Sequence, residues 1–358
     1  MKKLYGFNLQ WMYSVSQLLD TLKNTHIQGS IQPGSKLTKE TTKALLQIIQ
    51  PDLKALNFMQ EMDVNFIRLP LDYRFWIHNF EYDKPHTAFL EKLDECVEAI
   101  ISRGFHCSLN LHRAPGYCIN GNNEELHNLW LDKIAQDAFV LQWENFARRY
   151  KKYSADQLDF DLLNEPPDIN QYGMNRENHS AIILRAADAI RAISPDRPIT
   201  INGLGGGNIA LPELAHAGFR MSTRGYQPMA ISHYEASWCA ETQGLDYPKY
   251  PFTNYANKIW TIDTIRKHYA PWKELAEKQV PIHIGEFGCY NKIDNTIALR
   301  WFQDLFTVFN ELGWGYALWQ FEGAFGIVNH GRPNTQYKKI DGYEVDIQLY
   351  ELFKRGMK

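Results

Sequence analysis

Phe160-Asp161-Leu162-Leu163-Asn164-Glu165-Pro166-Pro167 carries the end of a β-rich run, Leu158–Glu165, which finishes in an amide and a carboxylate and is followed by two prolines. Seven further runs share its character: Lys3–Asn8, Val64–Leu71, His106–His112, Pro198–Leu204, Met229–Glu235, Pro281–Gly288 and Gly315–Phe321. Helical patterns lie between them. Phe89, Leu90, Leu93, Cys96, Val97, Ile100 and Ile101 fall at helical spacing, and Gly104 is placed as a stop. Asn178–Ile193 and Asn295–Leu312 repeat the pattern, and Leu53, Leu56, Met59 and Met62 form a shorter stripe. These stripes are read as core-facing helix sides.

Strand–helix alternation implies parallel strands with helices outside. Eight repeats predict a single-domain α/β protein, a (β/α)8 TIM barrel over residues 1–358. Such a barrel needs about 250 residues, and the surplus goes into loops. The long loops are Ala236–Ala256 after strand six and Glu322–Glu344 after strand eight. A doubly wound open sheet is the rival topology.

Composition narrows the function. Lys plus Arg total 38 against 41 Asp plus Glu, a net charge of −3. That balance argues against nucleic acid and anionic membrane as partners. No apolar run approaches the roughly 20 residues of a transmembrane helix. The start, MKKLYGFNLQ, is broken by Gly6, Asn8 and Gln10 and makes a poor signal peptide. A cytoplasmic location is therefore expected, or a secreted one if the N-terminus is trimmed. The five cysteines are scattered without a C-x-x-C, which suits a reduced compartment. No cofactor or metal is expected. Gly203–Asn208 lacks the Lys-Ser/Thr of a P-loop and reads as a flexible loop, and His106 and His112 have no third ligand at metal spacing.

In a barrel the strand C-termini point at the active site. Polar residues end these runs: Arg68, His112, Asn164 with Glu165, His233 with Tyr234 and Glu235, Glu286, and Trp319 with Gln320. A lone glutamate before proline is ordinarily a solvated loop residue. Two glutamates at the ends of strands four and seven form a pair suited to retaining glycoside hydrolysis, where one attacks and the other is acid and base. Arg68 taken alone reads equally well as a barrel salt bridge, and His112 as a core histidine. Tryptophan at a strand end suits stacking on the apolar face of a sugar.

Taken together, Ile67-Arg68-Leu69-Pro70, Asn110-Leu111-His112, Leu163-Asn164-Glu165-Pro166, Gly285-Glu286-Phe287-Gly288 and Ala317-Leu318-Trp319 resemble glycoside hydrolase family 5, the cellulase family of retaining (β/α)8 glycosidases. The likeness runs from Tyr5 to Trp319. It implies Glu165 as acid/base, Glu286 as nucleophile, Asn164 on the sugar 2-hydroxyl, Arg68 and His112 in the hydrogen-bonding shell, and Trp319 as the floor of the −1 subsite. The family's His-x-Tyr at the end of strand six, whose tyrosine touches the nucleophile, is met here by Ser232-His233-Tyr234-Glu235, with Tyr directly after His. The roles of His233 and Tyr234 therefore stay open, as do those of Glu235 and Glu322.

The implied substrate is a β-linked glucan or mannan-type oligosaccharide or polysaccharide. Exo-action as a β-mannosidase or β-glucosidase is expected if the long loops close one end of the cleft. An endo-β-1,4-glucanase and a non-catalytic glycan-binding barrel are the alternatives. An open-sheet oxidoreductase would need a cofactor loop that the sequence does not present.

Overall fold

A computed structural model describes residues 2–23 and 37–357. The strands in chain order are β1 (Tyr5–Asn8), β2 (Phe66–Asp72), β3 (His106–Arg113), β4 (Leu158–Asp161), β5 (Ile199–Asn202), β6 (Arg220–Gly225), β7 (Thr253–Tyr255), β8 (Lys258–Trp260), β9 (Ile282–Phe287), β10 (Gly315–Leu318), β11 (Tyr337–Ile340) and β12 (Tyr343–Asp346). Eight of them close into a barrel in the order β1-β10-β9-β6-β5-β4-β3-β2. Helices alternate with these strands along the chain, so the fold is the (β/α)8 barrel that the alternation predicts. Among the described residues no helix is long and apolar enough to cross a membrane.

Helix ends follow the local chemistry. Asn175 accepts from the Asn178 N–H and Asn178 answers it, a reciprocal cap that starts the helix Arg176–Ile193. Asp294 caps Asn295–Leu312, and Gly313 closes it at φ 72°. The stripe at 89–101 becomes the helix Thr87–Ile101, with Phe89, Leu93, Val97 and Ile100 buried.

Contacts gather the chain into two compact units, Met1–Asn8 with Asn57–Phe66 and Ser222–Lys358, and Leu9–Leu56 with Ile67–Met221. In the first, β1 pairs parallel with β10, and β10 with β9. Asn8 ties all three together, donating from Nδ2 to the carbonyls of Gly285 and Leu318 at 3.1 Å each. Gly6 is obligatory, because a Cβ there would lie 1.6 Å from the Phe66 carbonyl oxygen. The surplus chain of this unit folds into two hairpins, β7–β8 and β11–β12. In the second unit β4 pairs parallel with β3 and β5. Buried Arg197 donates to the carbonyls of Tyr150, Tyr153, Ser154 and Leu158, tying the turn before β4 to the start of the strand.

One strand lies elsewhere than expected. Met229–Glu235 is not strand six; Met229–Ser232 is a short helix, and the strand is Arg220-Met221-Ser222-Thr223-Arg224-Gly225. Two arginines and two hydroxyls hide it from a search for apolar runs. Gly203–Asn208 also departs from the expected flexible loop. Leu204–Gly207 is a tight turn with Gly205, Gly206 and Gly207 at positive φ, and Gly205 and Gly206 donate to the carbonyls of Pro167 and Pro166 at 3.0 and 3.1 Å.

Candidate active site

In the second unit, Asp161 organises the residues that follow β4. Its Oδ2 accepts from Arg68 Nε at 2.7 Å, and its Oδ1 from Asn202 Nδ2 at 2.7 Å. Arg68 also reaches Asn164 Oδ1 at 2.9 Å through Nη2. All four side chains are buried. A guanidinium in such surroundings needs a carboxylate, and Asp161 supplies it in a charge-assisted pair. The Asn164 amide nitrogen faces His112 Nε2 at 3.4 Å, and the edge of the Tyr13 ring meets the His112 ring at 4.6 Å.

Glu165 stands four residues beyond Asp161, half-buried, with φ at 46°. That left-handed conformation is costly for a residue with a side chain. The surroundings hold it from both sides: its N–H donates to Asn202 Oδ1 at 3.2 Å, and its carbonyl accepts from Tyr117 Oη at 2.7 Å. The two glycine N–H groups on Pro166 and Pro167 brace the same turn. The backbone that carries this carboxyl is thereby fixed.

In the first unit, Glu286 lies on β9 and is 2 % exposed. Arg224 Nη2 sits 3.1 Å from its Oε1, and Tyr226 Oη donates to its Oε2 at 3.1 Å. Both residues come from the end of β6. Gly285 makes the arrangement possible, since a Cβ there would stand 2.1 Å from Ser222 Oγ and 3.1 Å from Arg224 Nη1. Ser232 Oγ donates to the Tyr226 carbonyl at 2.5 Å and lies 2.9 Å from His233 Nδ1. The His233 ring meets the Tyr226 ring edge-on at 4.8 Å. Burial drives the His233 pKa down to about 4 against the pull of Glu286, so its imidazole is neutral at pH 7. Trp319 follows β10, and its N–H bonds the Phe287 carbonyl at 2.8 Å.

The expected residues thus fall into two sets. Arg68, His112, Asn164 and Glu165 are brought together in one unit, and His233, Glu286 and Trp319 belong to the other. Tyr234 packs its ring on Tyr247 at 5.5 Å, and neither His233 nor Tyr234 ends a strand. The tyrosine at the end of strand six that touches Glu286 is Tyr226, in Arg224-Gly225-Tyr226. Arg224, Tyr226, Asp161, Asn202 and Tyr117 escaped the sequence reading. Two signals were available: an aspartate inside an apolar β-run needs a buried partner, and a glycine inside a strand marks a close approach. Glu322 accepts from Asn329 Nδ2 at 2.6 Å. Among the described residues no group of three His, Cys, Asp or Glu side chains is arranged to hold a metal ion.

Comparison with known proteins gives three kinds of match. The family described as cellulase (glycosyl hydrolase family 5) matches residues 38–324. Endoglucanase C of Acetivibrio thermocellus is 25 % identical over 316 residues, 80 % of this chain and 89 % of that protein. Cellodextrinase A of Ruminococcus flavefaciens is 23 % identical over 270 residues, 72 % of this chain and 76 % of that one. A crystal structure described as a glycoside hydrolase superposes with a TM-score of 0.89 at 49 % identity, covering 99 % of both chains.

Proposed function

We propose, from the premise that the chain belongs to glycosyl hydrolase family 5, the cellulase family, that it cleaves β-linked glucan by double displacement with retention at the anomeric carbon. Membership makes the chain a glycosidase. The observation that carries the mechanism is the grip on Glu286, whose two oxygens meet a guanidinium and a phenol. Such partners favour the ionised carboxylate that a nucleophile must be.

Glu286 attacks the anomeric carbon, and the bond to the leaving oxygen breaks as the ester bond forms. Glu165 gives that oxygen its proton, then takes one from the water that releases the sugar. The two carboxyls must come within about 5–5.5 Å for this division of labour. Asn164 binds the 2-hydroxyl, and the Arg68–Asp161 pair fixes the Asn164 amide. His112 completes that shell, Trp319 is the floor of the −1 subsite, and His233 and Tyr234 are further substrate contacts.

The relative named an endoglucanase supports internal cleavage of a glucan chain. A second reading, exo-action on short oligosaccharides, is favoured by one contact. Trp238 in the loop after β6 and Phe325 in the loop after β10 meet with ring centroids 6.2 Å apart, a start on a wall across the cleft. Product analysis on end-labelled β-1,4-oligosaccharides separates the two, since only internal cleavage gives a spread of early products. Proton NMR of the first-formed sugar tests the stereochemistry, and an α-anomer sinks double displacement. Aryl β-glucoside, β-mannoside and β-xyloside, assayed side by side, identify the sugar.

A further inference from the structure

Arg224 is entirely buried, yet it is a fixed part of the Glu286 surroundings. Its Nη1 is spent on its own strand, on Ser222 Oγ at 3.1 Å and the Thr223 carbonyl at 3.3 Å. Its backbone carbonyl accepts from Tyr269 Oη at 2.9 Å. That leaves Nη2 aimed at Glu286 Oε1, 3.1 Å away. The residue is held at its backbone carbonyl and at its guanidinium, and the adjoining strand gives up a Cβ at Gly285 to admit the side chain.

We infer that Arg224 is a positioning residue for the second half of the reaction, holding Glu286 by Oε1 and stabilising that carboxylate as it leaves the sugar. The inference rests on Glu286 being the nucleophile. A cation stabilises the carboxylate anion more than the neutral glycosyl ester. In the first step the charge of Glu286 is consumed in the new carbon–oxygen bond, so the ion pair weakens and the step is retarded. In the second step water adds to the anomeric carbon, its proton passes to Glu165, and the ester bond breaks with both electrons returning to Glu286. The charge reappears 3.1 Å from Arg224, and the leaving carboxylate is stabilised. Arg224 therefore spends some of the first step to speed the second, which keeps the covalent intermediate short-lived.

The test uses the whole protein and whichever 2,4-dinitrophenyl β-glycoside the wild type turns over fastest, so that release of the sugar limits kcat. In Arg224→Gln, kcat should fall about tenfold or more while KM falls with it, leaving kcat/KM within about threefold. Intact mass spectrometry of enzyme quenched in the steady state should show the glycosyl adduct on most molecules. Arg224→Lys should return kcat to within about threefold of wild type, because the charge is restored. A kcat and kcat/KM that drop together without an adduct would reduce Arg224 to a structural role and overturn the inference, as would a lysine variant no better than the glutamine one. If Arg224→Gln does not fold, Ser222→Ala loosens the same guanidinium. It should lower kcat and KM about two- to threefold together, and unchanged constants overturn the proposal. The nucleophile assignment is checked separately with the matching 2-deoxy-2-fluoro glycoside on wild-type enzyme: an adduct on a residue other than Glu286 overturns that assignment and, for that distinct reason, the role of Arg224.

Discussion

Tyr226 Oη donates to Glu286 Oε2 at 3.1 Å, and the tyrosine is itself held through its carbonyl by Ser232 and across its ring by His233. A hydrogen bond to a charged acceptor is worth about 1.5–3 kcal/mol. Tyr226→Phe should therefore lower kcat on a 2,4-dinitrophenyl β-glycoside, where release of the sugar limits turnover and the Glu286 charge is regained, by about 10- to 100-fold. The ring and its packing stay, so the variant should still fold. A loss below about twofold would mean that the phenol does not assist the reacting carboxylate.

The difference between what was legible in the sequence and what was not is physical. Glu165 and Glu286 end apolar runs, and a charge at the end of a buried strand is conspicuous. Seven of the eight barrel strands are apolar enough to be found the same way. β6 is not, because Ser222 and Arg224 spend their polarity inside the structure, on each other and on Glu286. The nearby apolar run around Met229 took its place in the reading, and with it the search for the contacting tyrosine moved from Tyr226 to Tyr234. Asp161 was visible in the sequence, but its partner Arg68 lies 93 residues away, and no local pattern joins them.

Arg68 and Asp161 predict a stability effect. Arg68→Met leaves the Asp161 carboxylate buried beside an apolar side chain. Breaking a buried pair from one side costs about 3–5 kcal/mol, whereas replacing both members can be nearly neutral. Urea unfolding should show a loss of that size for Arg68→Met. The double variant Arg68→Met/Asp161→Leu should recover part of it, and no recovery would mean that the pair is not the source of the loss.

Gly285 predicts a steric effect. Gly285→Ala puts a methyl group 2.1 Å from Ser222 Oγ and 3.1 Å from Arg224 Nη1, and both neighbours are side chains that must shift. Overpacking of this kind costs about 1–3 kcal/mol. The protein should fold, with a lower urea midpoint and less activity. Ser222→Gly added to it removes the nearer obstacle and should restore a good part of the midpoint. A midpoint equal to that of wild type in Gly285→Ala alone would show that the strands separate freely.

Buried histidines predict the behaviour in acid. Burial lowers the pKa of His179 to about 3, with Arg176 adding to the effect. Burial likewise lowers His268 and His330 to about 4, helped by Lys258 and Arg332 respectively. The unfolded chain takes up these protons near pH 6.5. Between that value and the lowered ones the unfolded state holds more protons, so stability falls as the pH falls. Each such group contributes about 1.4 kcal/mol per pH unit across its window. His179 isolates the effect, because it is fully buried on the helix Arg176–Ile193 and neither ring nitrogen has a hydrogen-bond partner. In His179→Leu the packing change is the same at every pH, while the proton uptake is gone. The variant should gain about 2 kcal/mol on wild type between pH 8 and pH 5, measured as the change in unfolding free energy in urea. Equal slopes for the two proteins over that range would mean that His179 titrates normally in the folded state.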